Sequence, residues 1–117
     1  MAWFRRRRTA GGGSGRGTAR AEARAEVASV RAHLQDFVRT RRGVEAYLEP
    51  PTAVTPPTVV LIATDGEWTR RRLPDPGIVR ELAESLSVPV YDVQLTGYPQ
   101  RMRDWNERAR RDRRPPG

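Results

Sequence analysis

The chain contains no cysteine, no lysine and a single histidine, His33. Without cysteine there are no disulfides, no thiol nucleophile, and no thiolate-held metal or iron–sulfur cluster. This composition fits a reducing cytoplasm. One imidazole argues against histidine-based zinc chemistry and against a Ser-His-Asp triad. No apolar run approaches the ~20 residues of a membrane-spanning helix. Hydrophobic residues make up only 37% of 117 residues, too few for the whole length to sit around a core. The length allows one small domain.

All 22 strongly basic residues are arginine, and the net charge of +8 is unevenly spread. Residues 1–20 hold six Arg and no acid, and residues 101–117 hold seven Arg against three acids. The middle, 21–100, is slightly acidic, with nine Arg against eleven Asp and Glu. A G+C-rich codon bias replaces Lys by Arg and enriches Ala, Gly and Pro in the same way. Arginine number alone is therefore weak evidence for the bidentate recognition of phosphate. The basic ends attract anionic partners without sequence preference.

Residues 1–20 carry a Gly-rich run, Gly11 to Gly17, after Trp3-Phe4 and Arg5 to Arg8. They lack the apolar stretch of a secretory signal and read as a disordered tail, as do residues 111–117. Between them, 21–110 reads as a single domain. Val27, Val30, Leu34, Phe37 and Val38 place one apolar stripe on a helix over 20–42, with Gly43 past its end. His33, beside Leu34, is expected at the helix surface. Residues 44–49 alternate Val44, Ala46 and Leu48 against Glu45, Tyr47 and Glu49, a half-buried strand. A four-proline loop follows. Residues 58–64, TVVLIAT, read as a central strand covered on both faces. Asp65-Gly66 predicts a hairpin turn into a polar strand over 67–73 that belongs at a sheet edge. Asp75 is the expected N-cap and Pro76 the first residue of a second helix, which ends before Pro89. A fourth strand over 88–95 should run parallel to the third, and a last helix starts at Pro99. The expected fold is α/β (α+β): a small four-stranded mixed sheet in the order α-β-β-β-α-β-α, with disordered basic termini.

The polar and aromatic density peaks at a strand end, a Gly turn and a helix start, where free backbone N–H groups suit an anion. The candidate binding residues are Tyr91, Asp92, Thr96, Gly97, Tyr98, Arg101, Arg103 and Trp105. Arg70 and Arg72 join them if strands three and four pair. The competing reading makes the aromatics packing residues and pairs the arginines with nearby acids. Neither GxGxxG nor GxxxxGK[ST] is present. The only carboxylate pairings of note are Asp92 with Tyr98, and Glu45 with Glu49 on one strand face. Neither marks an acid–base site, and no serine sits in G-x-S-x-G. No catalytic residue, metal ligand or cofactor is assigned.

The stretches EAYLEPPTAVTPPTVVLIATDGEWTRRRLPDP and VPVYDVQLTGYPQRMRDWN resemble a group of short function-unknown proteins of high-G+C Gram-positive bacteria. The most distinctive pieces are Asp65 to Arg72 and Tyr98 to Arg103, and the likeness spans residues 35–110, about two-thirds of the chain. The resemblance implies the domain boundaries and no activity. It brings a generic oxidoreductase label that no cysteine, dinucleotide fingerprint or metal set here supports. The reading is a small cytoplasmic accessory protein that acts by binding a protein partner, with homodimerisation as a further option. The alternatives are weak, salt-sensitive nucleic-acid association through the tails, and a small anion-binding protein or enzyme using the 96–103 turn.

Overall fold

A computed structural model describes residues 14–113. In chain order the elements are α1 (Ser14–Thr40), β1 (Glu45–Glu49), β2 (Thr58–Ile62), β3 (Trp68–Arg72), α2 (Gly77–Ser85), β4 (Val90–Asp92), the single turn α3 (Val93–Thr96) and α4 (Gln100–Arg113). The four strands form one mixed sheet in the order β3-β2-β1-β4. β1–β2 and β2–β3 are antiparallel, and β1–β4 is parallel. The expected α-β-β-β-α-β-α order and α+β class are therefore present.

Strand parity divides the core into two layers. Ala46, Val59 and Leu61 face α1 and α2, where they pack with Val30, Leu34, Phe37, Ile78 and Leu82. Tyr47, Val60 and Ile62 face the other way, against Met102 of α4 and the half-buried Trp68, Tyr91 and Tyr98. β2 is the fully enclosed strand, with Val59, Val60, Leu61 and Ile62 all 0% exposed. Each such side chain contributes about 1.5–3 kcal/mol of burial.

Several boundaries differ from the sequence reading. α1 begins at Ser14, so residues 14–20 are helical and not part of a tail. The Ala, Arg and Glu of 18–26 are strong helix formers and carry the helix backward past Gly17. α4 likewise continues to Arg113. The rest of the expected tails, 1–13 and 114–117, lies outside the described residues. The N-cap of α2 is Pro76. Asp75, one residue earlier, still accepts from the Gly77 N–H at 2.9 Å.

β4 ends at Asp92, three residues before the expected limit. The Asp92 carboxylate accepts from the Gln94 N–H at 2.8 Å, which turns the chain into α3. Gly97, at φ +68°, closes that turn.

The pairing of β4 also corrects an expectation. β4 runs in the same direction as β3, but the two strands occupy opposite edges of the sheet. β1 carries buried side chains on both faces and gains a backbone partner on each side. The charged β3 tolerates an edge, where its arginines oppose strand association.

Candidate functional site

Glu45, Tyr47 and Glu49 share the β1 face that looks toward α4, and each carboxylate there collects several donors. Glu45 accepts from Arg101 Nη2 at 2.5 Å and from the Tyr47 hydroxyl at 2.9 Å, with the Tyr91 hydroxyl at 3.5 Å from its second oxygen. Arg101 Nε also donates to the Ala63 carbonyl at 2.9 Å. Tyr47 and Tyr91 stack with centroids 5.3 Å apart. Glu49 takes a two-pronged contact from Arg70, at 2.9 and 3.0 Å, and hydroxyl donors from Thr58 and Tyr98. Arg70 lies over the Trp68 ring, and Trp68 Nε1 donates to Asn106 Oδ1 at 2.8 Å.

The electrostatics follow from these contacts. Burial raises the Glu49 pKa, but the Arg70, Thr58 and Tyr98 hydrogen bonds outweigh it and lower it to about 2. Burial likewise opposes ionisation of Glu45, and Arg101 with Tyr47 holds its carboxyl below the usual range. Burial, then the neighbouring Glu49 carboxylate, pushes the Tyr98 phenol up. Both carboxylates are fixed in the charged form, which suits structural anchors and not a proton-transferring pair.

The structure thus brings Arg70, Tyr91, Tyr98 and Arg101 to one face, through Glu45 and Glu49. Arg70 gets there across β2 and β1, and not by pairing of β3 with β4. Arg72 goes elsewhere, to Glu26 of α1 at 2.8 Å. Arg103 lies on the exposed side of α4, donating to Gln100 Oε1 and the Tyr98 carbonyl. Trp105 packs half-buried near Arg108 and the Gly66 turn. Asp92, Thr96 and Gly97 make up the α3 turn, where the Thr96 hydroxyl donates to the Gly97 carbonyl at 2.9 Å. Arg101 is directed inward to Glu45, so it does not supplement the N-terminus of α4 as an anion site requires. Asp92 does not meet Tyr98, whose hydroxyl is on Glu49.

Sequence reasoning named Glu45 and Glu49 only as a same-face pair and missed their role as anchors. The alternation of Glu45, Tyr47 and Glu49 is the signal, because a face bearing two acids and a tyrosine must find donors once it is covered.

No family model, curated protein or solved structure matches this chain. Its function rests on its own geometry. Among the described residues no group of three or more metal-binding side chains converges, and no helix is long and apolar enough to cross a membrane.

A second feature, absent from the sequence reading, is a groove of about 500 Å³ at the carboxyl ends of β1 and β4. Leu48 and Val90 supply its sheet side, Val79 and Ala83 of α2 one wall, and Leu73 with Pro50, Pro51, Pro57 and Pro76 the rest of the apolar lining. Arg80, Glu49 and Asp92 also line it. The proline loop and the α2 entry hold it open, since proline rings fix the backbone and leave few amide donors. Its size falls in the range of binding sites for small apolar groups, and the ends of parallel strands are a common place for one.

Proposed function

We propose that this protein is a non-catalytic binding module, and that it holds an apolar or aromatic side chain of a partner polypeptide in the groove between α2 and the ends of β1 and β4. The observation that carries this reading is the groove's lining: four prolines and five aliphatic side chains (Leu48, Leu73, Val79, Ala83 and Val90) facing a space that no described residue fills. Among the described residues the large apolar side chains left exposed are Val54, in the loop after β1, and Leu95, in α3 after β4, both at the same end of the sheet. Apolar surface gathered at one end of a small protein marks an interaction surface. The paired Arg70 and Arg101 support the same conclusion from the other side. Their guanidiniums hold the fold's own carboxylates, so the α4 face offers fewer free groups than its composition suggests. The lack of cysteine fits a cytoplasmic setting.

The test is selection of peptides from a random library on the whole protein, with Ala83→Arg as the control that fills the groove. Peptides with a shared apolar or aromatic anchor, retained by the wild type and lost by Ala83→Arg, are the expected result. Peptides that bind both forms equally, or no enrichment at all, would overturn the reading.

A further inference from the structure

We infer that the partner polypeptide binds as an extended segment added to the open edge of β4, with its anchor side chain in the groove and a basic side chain two residues away facing Asp92. The inference rests on the groove reading above and adds how the partner's backbone is held and which residues it carries.

The backbone comes first. β4 is an outer strand of the sheet, with β1 its neighbour on one side only. The Ala46 N–H donates to the Pro89 carbonyl at 2.9 Å, and the parallel register sets Ala46 beside Val90 and Leu48 beside Asp92. This phase turns the N–H and C=O of Tyr91 toward β1 and those of Val90 and Asp92 away from the sheet. The Asp92 carbonyl is taken up by α3, where the Thr96 hydroxyl donates to it at 3.4 Å. The Val90 N–H, the Val90 C=O and the Asp92 N–H remain, and no backbone group among the described residues meets them. The opposite edge differs, because β3 carries Arg70, Arg71 and Arg72 in a row, and their charge opposes an incoming strand. No arginine lies on β4. Outward N–H and C=O groups at a sheet edge recognise an extended backbone whatever its sequence, and pockets beside the edge supply the specificity. So short an edge makes few bonds, and the segment needs the groove for its anchor.

Strand parity then places the segment's side chains. Val90 packs in the α1/α2 layer and lines the groove with Asp92, whereas Tyr91 faces the α4 side. Residues paired across two strands share a face, so those opposite Val90 and Asp92 fall on the groove side. An apolar or aromatic side chain opposite Val90 enters the groove, where Ala83 of α2 is part of the lining. The favoured residue opposite Asp92 is basic. Glu49 is already held by Arg70, but Asp92 makes no salt bridge among the described residues. One of its oxygens accepts from the Gln94 N–H, and a carboxylate has room for further donors. Arg80, the other charged group of the lining, is exposed on α2 and reaches water. A second copy of the chain is the poorer occupant. Its β4 offers only a valine and an aspartate on this face, and pairing about Tyr91 sets each aspartate against a valine and leaves the groove empty.

The experiment is an NMR titration of the full chain with a pentapeptide that alternates threonine with one phenylalanine and one arginine, those two being two residues apart. Slower hydrogen exchange of the Val90 and Asp92 amides, together with shifts of the Ala83 and Val90 methyl groups, is expected. A segment bonded along one side uses alternate amides only. N-methylation of one alternate set in the peptide should therefore weaken binding about tenfold, and of the other set hardly at all. Exchanging the peptide's arginine for glutamate should weaken binding about threefold in the wild type. In Asp92→Asn, which keeps a capping oxygen for Gln94, that preference should vanish. Methyl shifts without amide protection, or equal effects of the two N-methylated sets, overturn the inference and leave the groove reading standing. Amide protection with unmoved methyls, retained in Ala83→Arg, leaves strand addition in place and overturns the groove reading. No response at millimolar peptide overturns the inference, and the library selection then decides the groove reading by itself. Protection of both amides in the protein alone, rising with its concentration, assigns the edge to a second copy and also overturns the inference.

Discussion

Glu49 is the most heavily bonded side chain on the α4 face, with donors from β2, β3 and the segment before α4 meeting on one carboxylate. A hydrogen bond to a charged group contributes about 1.5–3 kcal/mol net, and part of that is lost when the acceptor is neutral. Glu49→Gln is expected to cost about 2 kcal/mol in denaturant melts, with Arg70 left half-exposed and able to reach water. The fold holds this carboxyl at about 2, below its ordinary value, so its contribution is complete above about pH 4.5 and disappears as pH falls from there toward 2. The variant's stability should therefore be flatter than the wild type's across that window. His33 titrates higher. Arg71 Nη1 lies 2.6 Å from Nδ1, and an arginine only donates, so the proton sits on Nε2 and is shared with Thr69 Oγ1 at 3.1 Å. Burial, then Arg71, lower its pKa; Asp36 pulls the other way and Arg41 adds to the lowering. The neutral ring is thus the one the fold favours. Stability is complete above about pH 6.5 and falls with acidification until the folded-state pKa is passed. His33→Gln should remove the part of the slope that sets in as pH falls below about 6.5. Because it is the chain's only histidine, one ring titration by NMR reports it directly; a midpoint at or above 6.5 would contradict this account.

At the scale of elements, the β2–β3 hairpin and α4 meet at Gly66. Its φ is +94°, and a Cβ built there falls 2.0 Å from the Arg101 carbonyl oxygen and 2.9 Å from Trp105 Cβ. Gly97 also has positive φ, +68°, but a Cβ there meets nothing within 4 Å. Gly97→Ala therefore costs only backbone strain, about 1–3 kcal/mol, whereas Gly66→Ala adds a clash with backbone that must move α4. Thermal melts should rank Gly66→Ala as the more damaging by a margin of at least about 1 kcal/mol; equal losses would mean that α4 is not held against the turn. The Asp65-Gly66 turn itself was legible in the sequence, as were the enclosed β2 run and the stripe on α1, because each is a local pattern of apolar spacing or turn chemistry. The α4 contact was not, since it joins residues about 40 apart in sequence. The same reason hides the Glu45–Arg101 and Glu49–Arg70 pairs. Parity shows that the two acids share a face, but only the sheet order decides that Arg70 arrives there, and only the chain's return after α2 decides that Arg101 does. The short β4 was misjudged for a local reason. Val93 and Leu95 continue a strand-like alternation, and one carboxylate cap on Gln94 is enough to override it.

Across the whole molecule, the sheet separates two cores of unequal depth. Thirteen buried residues cluster on the α1/α2 side and four on the α4 side. In α4 only Met102 is buried, and the rest of its attachment is polar: Arg101 to Glu45, Asn106 to Trp68, and Arg108 to the Asp65 carbonyl. An element tied by one apolar anchor and half-exposed polar contacts belongs at the low-stability end of the structure and opens before the sheet does. Native-state hydrogen exchange is therefore expected to show α4 amides exchanging through a sub-global opening, while β2 amides exchange only through complete unfolding. Removing the anchor separates this picture from a single cooperative unit. Met102→Ala deletes a buried side chain, a change that costs about 2–5 kcal/mol where the whole fold depends on it. Here the loss should appear first as faster exchange in α4, with β2 protection lowered much less. Leu61→Ala, at 0% exposure in the larger core, should lower protection everywhere by a similar amount. If Met102→Ala instead lowers β2 and α4 protection equally, the two layers unfold together. The polar network on the α4 face is then as much a part of the core as the apolar layer behind the sheet.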